Sequence, residues 1–222
     1  MTEARHLAKS GLHSPSKDSS LTLQRGLALL NAVADAQVEA PTIGDLAAAL
    51  GTSRTTVYRL LGPLQDQGLV RRDGSRIHLG LGVMGLAGKV IPQLRLAVTP
   101  ILRRLAEGSG LTAHLTVAEG QEAQAVVVVE PSWPTYHVGY RVGSRHTLDQ
   151  GAAGRAIRLP SADPAWVCSS GELQAGAHGV AAPIRGVPGL RASVGVVALE
   201  PLDAQEVGPL VVQAAADIAA AL

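Results

Sequence analysis

Between residues 53 and 59 lies a run of side chains with the chemistry to read a duplex: Ser53, Arg54, Thr55, Thr56, Tyr58 and Arg59. Arginine offers a planar fork of donors that matches guanine edges or a phosphate, and a threonine methyl meets thymine. Val57, Leu60, Leu61 and Leu64 recur at helical spacing on the other face, which leaves the polar set with no core to join. Further on, Arg71, Arg72 and Arg76 surround Asp73-Gly74, a hairpin turn between two short basic strands. Such a hairpin brings guanidinium groups to a phosphate backbone. The bland alternative, a solvated helix with unrelated charges, has to explain why helix, turn and basic hairpin follow in this order.

These side chains need a scaffold, and the flanking residues supply one. Ile43, Leu46, Ala47 and Leu50 form one helical face, with Thr42 as its N-cap and Gly51 as its stop. Thr42, at the start of that helix, joins the candidate DNA contacts. Leu23, Leu27, Leu30 and Ala34 make an earlier stripe, capped by Ser19 or Ser20. Three helices and a basic hairpin spell a winged helix-turn-helix. Pro63 falls inside the second stripe and predicts a kink or local break, since an interior proline costs about 3 kcal/mol.

Residues 80–98 read as a connecting helix that Pro92 should bend. Gly80, Gly82 and Gly85 spell G-x-G-x-x-G, but a short basic strand precedes them and no acidic residue follows at the dinucleotide distance. Gly82, Gly85 and Gly88 are better explained by close approach of another helix. Leu81, Met84, Leu86, Ala87, Val90 and Ile91 make this segment apolar around much of its circumference, more than one domain core needs. A homodimer or homotetramer follows as the expectation.

From Thr99 the pattern is mixed. Pro100–Glu107 reads as a helix, Leu111–Val117, Ala123–Glu130 and Tyr136–Tyr140 as strands, and Gly151–Leu159 as a helix opening on small residues. Val180–Ile184 and Ala192–Leu199 are further strands. Asp203 and Glu206 suggest a capping box for a last helix striped by Val207, Leu210, Val211, Ala214, Ile218 and Leu222. The fold class is α+β: an N-terminal winged helix-turn-helix (20–80), a linker helix (81–98) and an antiparallel-sheet sensor domain (99–222), behind a disordered tail (1–19).

Composition narrows the setting. The 222 residues are 46% apolar with no Phe, so the core is built of Leu, Val, Ile and Ala. The net charge is +1 but uneven: residues 1–90 hold ten Lys and Arg against seven Asp and Glu, and residues 91–222 nine against eleven. The basic excess lies on the helix-turn-helix side. Cys168 is the single cysteine, which excludes an intrachain disulfide and suits a reducing cytoplasm. The first twenty residues lack a signal-peptide core, and no run is apolar enough to span a bilayer. No metal-ligand spacing links the histidines, and no cofactor is expected.

The stretches RGLALLNAVADA, TIGDLAAALGTSRTTVYRLL, LQDQGLVRRDG and IHLGLGVMGLA resemble the N-terminal domain of the IclR (isocitrate lyase regulator) family. VGSRHTLDQGAAGRAI, GAHGVAAPIR and the closing helix resemble its effector-binding domain. The resemblance implies a winged helix, a linker helix and a GAF/PAS-like sensor domain. In function it implies an oligomeric transcriptional repressor whose affinity for a double-stranded operator responds to a small molecule. The segment Pro160–Ala175 is shorter than the helical insert usual in the family. Positions where relatives place polar groups for small carboxylates align with Ser169, Gly179, Val197 and Leu199, and of these Ser169 alone is polar. The amides of Ala152, Ala153 and Gly154 remain as an anion seat, with close helix–sheet packing as the competing explanation. Together these imply an aromatic or lactone-like effector, an apolar acid before a two- or three-carbon one, resting on Val197, Leu199 and Trp166.

Two other readings stay open. The sensor domain could serve oligomerisation alone, with no ligand. Cys168 with His146 and His178 could form a thiol hydrolase, although a lone cysteine is more often a small core residue. Trp133 could line a pocket or pack at its rim.

Overall fold

The computed structural model describes residues 20–36, 39–132, 140–160 and 165–222. The expected tail at 1–19, Trp133 and all but the last residue of the expected strand Tyr136–Tyr140 lie outside them. The chain divides into two compact units, Met1–Gly88 and Lys89–Leu222. No helix among the described residues is long and apolar enough to cross a membrane.

The first unit is built from α1 (Leu21–Ala34), α2 (Ile43–Ala49), α3 (Arg54–Asp66) and the hairpin of β1 (Val70–Asp73) and β2 (Arg76–Leu79). Each helix start has a side-chain cap: Ser20, Thr42 and Ser53 accept the amides of Leu23, Asp45 and Thr56. Gly51 takes φ +58° where α2 stops. Leu29, Leu46, Val57, Leu61 and Ile77 form the center of its core.

Three expectations change here. The buried face of α1 is Leu29 and Val33, while Leu23 and Leu27 are 63% and 52% exposed. Apolar residues circle this helix in overlapping stripes, so periodicity alone could not choose between them. The hairpin pairs Asp73 with Arg76 across Gly74-Ser75, one residue beyond the expected turn, with Gly74 at φ +58° supplying the first central position. Helix α3 runs unbroken through Pro63. The proline and Arg59 are both exposed, so water can take the carbonyl that the missing amide leaves free.

Helix α4 (Gly82–Ser109) is continuous through Pro92 and Pro100. The separate helix expected at Pro100–Glu107 is its second half. Both prolines lie on the exposed side, as Pro63 does. The second unit adds one antiparallel sheet of six strands in the order β5 (Arg145–Thr147), β4 (Glu122–Val129), β3 (Thr112–Glu119), β8 (Ala192–Ala198), β7 (His178–Ile184) and β6 (Val167–Ser170). The short edge strands β5 and β6 were not expected. On one face Leu115, Val127, Val180, Val194 and Val196 pack with α4 and with α6 (Ala204–Ala221). On the other, α5 (Gly151–Arg158) lays Ala152, Ala153 and Ala156 on Ala181. The alternation along β7 and β8 assigns each side chain to a face. The α6 cap is Asp203, which accepts the Gln205 amide 2.8 Å away in place of a reciprocal box with Glu206. Leu210 and Leu222, expected in its stripe, are exposed.

Candidate nucleic-acid interface and ligand cavity

On α3 the residues Arg54, Thr55, Tyr58 and Arg59 are exposed, above the buried Val57, Leu60 and Leu61. Ser53 and Thr56 are engaged with each other: the Ser53 hydroxyl accepts the Thr56 amide at 3.2 Å and lies 3.0 Å from its hydroxyl. Arg54 turns back across the start of α2, its Nη2 3.2 Å from where a Cβ on Gly44 would stand. Thr42 is committed to the α2 cap. Its hydroxyl and amide both donate to Asp45, at 2.8 and 2.9 Å, and these bonds hold the Asp45 carboxyl below its ordinary pKa.

The wing arginines separate into two kinds. Arg72 donates through Nε to the Gly74 carbonyl at 2.8 Å, and its guanidinium stands 5.9 Å from the center of the Tyr58 ring. Arg71 is exposed, 3.8 Å from the Asp73 carboxylate. Arg76 instead donates to the Ala40 carbonyl at 2.6 Å and pairs with Glu39, while its backbone bridges to Thr42. That arginine fastens the segment before α2 to β2, apart from the Tyr58–Arg72 surface.

The G-x-G-x-x-G run is a packing device. A Cβ on Gly80 would stand 2.0 Å from the Gly68 carbonyl oxygen, and one on Gly82 2.7 Å from that of Gln67. Gly85 and Gly88 meet nothing within 4 Å, so the helix expected to approach them is not part of the described chain.

In the second unit a cavity of about 240 Å³ opens between α5, β3 and the β6–β7 end of the sheet. Ala152, Ala153, Ser169, Gly179 and Val197 line it. Gly154 does not: its Cβ would fall 2.8 Å from the Thr147 carbonyl, so this glycine serves close packing. Leu199 is 49% exposed and outside the cavity. Trp166 packs against Gly208 of α6 on the core side. Cys168 is exposed on β6, not the small core residue expected, and it is not a lining residue although His146 and His178 are. Among the described residues no group of three or more His, Cys, Asp or Glu converges as a metal site.

The polar wall was not foreseen. His114 is buried, its Nδ1 3.1 Å from the Thr116 hydroxyl and its ring 4.9 Å from that of Tyr140. Burial, and next the neighbouring His146, lower its pKa to about 3, so it is a neutral imidazole. Burial raises the Tyr140 phenol above its ordinary pKa. Tyr140 Oη and His146 Nε2 are buried without a hydrogen-bond partner among the described residues. Glu172 also lines the wall, and its carboxylate accepts the Gly151 amide of α5 at 2.8 Å. Alternation along β3 could have pointed to His114. Glu172 reaches α5 from 21 residues away, and no local pattern announces that.

Residues 22–74 match the IclR helix-turn-helix domain. The acetate operon repressor of Salmonella typhimurium is 34% identical over 141 residues, covering 61% of this chain and 51% of that protein. The transcriptional repressor IclR of Escherichia coli is 33% identical over 148 residues, 64% of this chain and 54% of that protein. The N-terminal part of this chain is thus similar to the DNA-binding domain of IclR-family repressors. The chain spans about half the length of these curated relatives. The fold is shared more widely within the family. An IclR homolog of Microbacterium hydrocarbonoxydans, crystallized with 4-hydroxybenzoate, superposes with a TM-score of 0.51 at 20% identity, over 90% of this chain and 98% of that one. The helix-turn-helix match ends at Gly74, the turn of the hairpin.

Proposed function

We propose that this chain is a transcriptional repressor that binds double-stranded operator DNA as a homo-oligomer and releases or tightens it in response to a small-molecule effector. Residues 20–80 read DNA, residues 81–98 link and dimerize, and residues 99–222 hold the effector; the protein works in the cytoplasm, with its DNA. The observation that carries this reading is the exposed face of Arg54, Thr55, Tyr58 and Arg59, with Arg72 of the wing set over Tyr58. Ser53 and Thr56 order the start of that helix, and Arg71 and Arg72 supply phosphate contacts. Both curated relatives are named as repressors.

A second copy is supported by the apolar side chains at the start of α4: Leu81, Met84 and Leu86 are 80%, 71% and 57% exposed. One winged helix covers one half-site, and a two-fold protein matches a palindromic operator. The effector reading is supported by the cavity and by the 4-hydroxybenzoate complex of the Microbacterium relative. A volume below the usual 300–1,000 Å³ favours a compact ligand, aromatic or lactone-like.

A mobility-shift experiment with the DNA upstream of its own coding sequence tests the function. A shifted band that unrelated DNA fails to compete is expected. Sedimentation should give a dimer or tetramer that Met84→Asp dissociates; a wild-type monomer at micromolar concentration contradicts the oligomer.

A further inference from the structure

We propose that Glu172 is a resident anion that sets the ligand class of the cavity: an uncharged molecule bearing hydroxyl or carbonyl groups, not a carboxylate. The inference rests on the reading of this cavity as an effector site. One carboxylate oxygen of Glu172 accepts the Gly151 amide at 2.8 Å, in the first turn of α5. The other stands 2.9 Å from Arg155 Nη2. Orphan amides and the helix dipole make that position the natural seat for an anion, and the chain has filled it with its own. The next residue wedges the segment in place: Leu173 Cδ1 lies 2.6 Å from where a Cβ on Gly151 would stand, and Gly151 has φ +70°.

The cations near the cavity are paired as well, although Arg155, which is not a lining residue, keeps its buried Nε without a partner among the described residues. Arg145, on the wall, pairs with Glu119 and with Glu122 at 3.1 Å, and Arg155 pairs with Glu172. A ligand carboxylate would therefore meet Glu172 as a like charge, with no uncommitted arginine or lysine among the described lining residues. What the wall does offer is two buried polar atoms, the Tyr140 hydroxyl and His146 Nε2, both without partners among the described residues. A hydroxyl or carbonyl group satisfies them without bringing charge.

The test uses the full chain, wild type, Glu172→Ala and Glu172→Gln, in two arms. Thermal unfolding is followed in sodium acetate against sodium chloride of equal ionic strength. Glu172→Ala should lose thermal stability that acetate restores and chloride does not, while wild type responds to both salts alike. No selective rescue by acetate overturns the resident anion. Calorimetric titration then compares 4-hydroxybenzamide with 4-hydroxybenzoate. Wild type should favour the amide by about tenfold or more, and Glu172→Gln, which keeps an oxygen for Gly151, should narrow that ratio. Wild type binding the acid as tightly as the amide overturns the proposed ligand class. Acetate rescue with neither compound bound to any variant sustains the filled seat and overturns the effector reading of the cavity instead.

Discussion

The guanidinium of Arg72 stands 5.9 Å from the center of the Tyr58 ring, so a wing side chain rests on the exposed face of α3. An exposed cation–π pair contributes about 0.5–1 kcal/mol, and here it ties the wing to α3, the two surfaces proposed to meet one duplex. Arg72→Ala and Tyr58→Ala should therefore each weaken DNA binding, with a coupling energy of about 0.5–1 kcal/mol in a double-mutant cycle. Strict additivity of the two losses argues against a shared arrangement.

Arg71 and Arg76 should behave in opposite ways. Arg71 is exposed beside Asp73, and its removal should lower the salt slope of DNA binding by about one unit at unchanged stability. Arg76 donates to the Ala40 carbonyl and pairs with Glu39, so Arg76→Ala should destabilize the N-terminal unit by about 1–2 kcal/mol. Its salt slope should stay near wild type. Salt titrations alongside urea denaturation separate the two, and a full-unit slope change for Arg76→Ala would assign it to phosphate.

Much of the first unit was legible because its signals are local. The Thr42 cap and the Gly51 stop each act within one turn or at one backbone angle, whereas Ser53 and Thr56, read as DNA contacts, turn out to cap α3. The buried face of α1 was not, because Leu23 and Leu27 compete with Leu29 and Val33 on one short helix. No helix breaks at Pro63 or Pro100, where an exposed position leaves the freed carbonyl to solvent. Strands β5 and β6 are only three and four residues long, and pairing with β4 and β7 creates them. The cavity was half legible. Its small floor residues follow one motif, whereas Glu172 and Tyr140 arrive through tertiary folding.

Gly80 and Gly85 sit in one sequence motif but in different surroundings. Gly80→Ala drives a methyl to 2.0 Å from the Gly68 oxygen and should cost about 3 kcal/mol or more. Gly85→Ala meets open space within a helix and should be neutral or gain up to about 1 kcal/mol. Chemical denaturation reads both. Equal losses would mean that the motif acts as a unit, which packing does not require.

His114 makes stability depend on pH in a definite direction. Its folded pKa is about 3 against an ordinary 6.5, so between these values the unfolded chain binds a proton that the folded chain does not. Stability contributed by the neutral ring is complete above 6.5 and declines as pH falls through that interval, by about 1 kcal/mol per unit. His114→Asn should show a shallower decline between pH 6.5 and 4.5 in urea denaturation. An unchanged slope would place the acid sensitivity elsewhere.

The central claim is that α3 reads sequence. Fluorescence anisotropy with a labelled upstream fragment and a shuffled duplex, at one moderate salt concentration, measures that directly. Wild type should prefer the native sequence. Arg54→Ala and Arg59→Ala should each erode the preference by about 1–3 kcal/mol, with the oligomeric state unchanged in sedimentation. Wild-type discrimination retained by both variants would contradict the account.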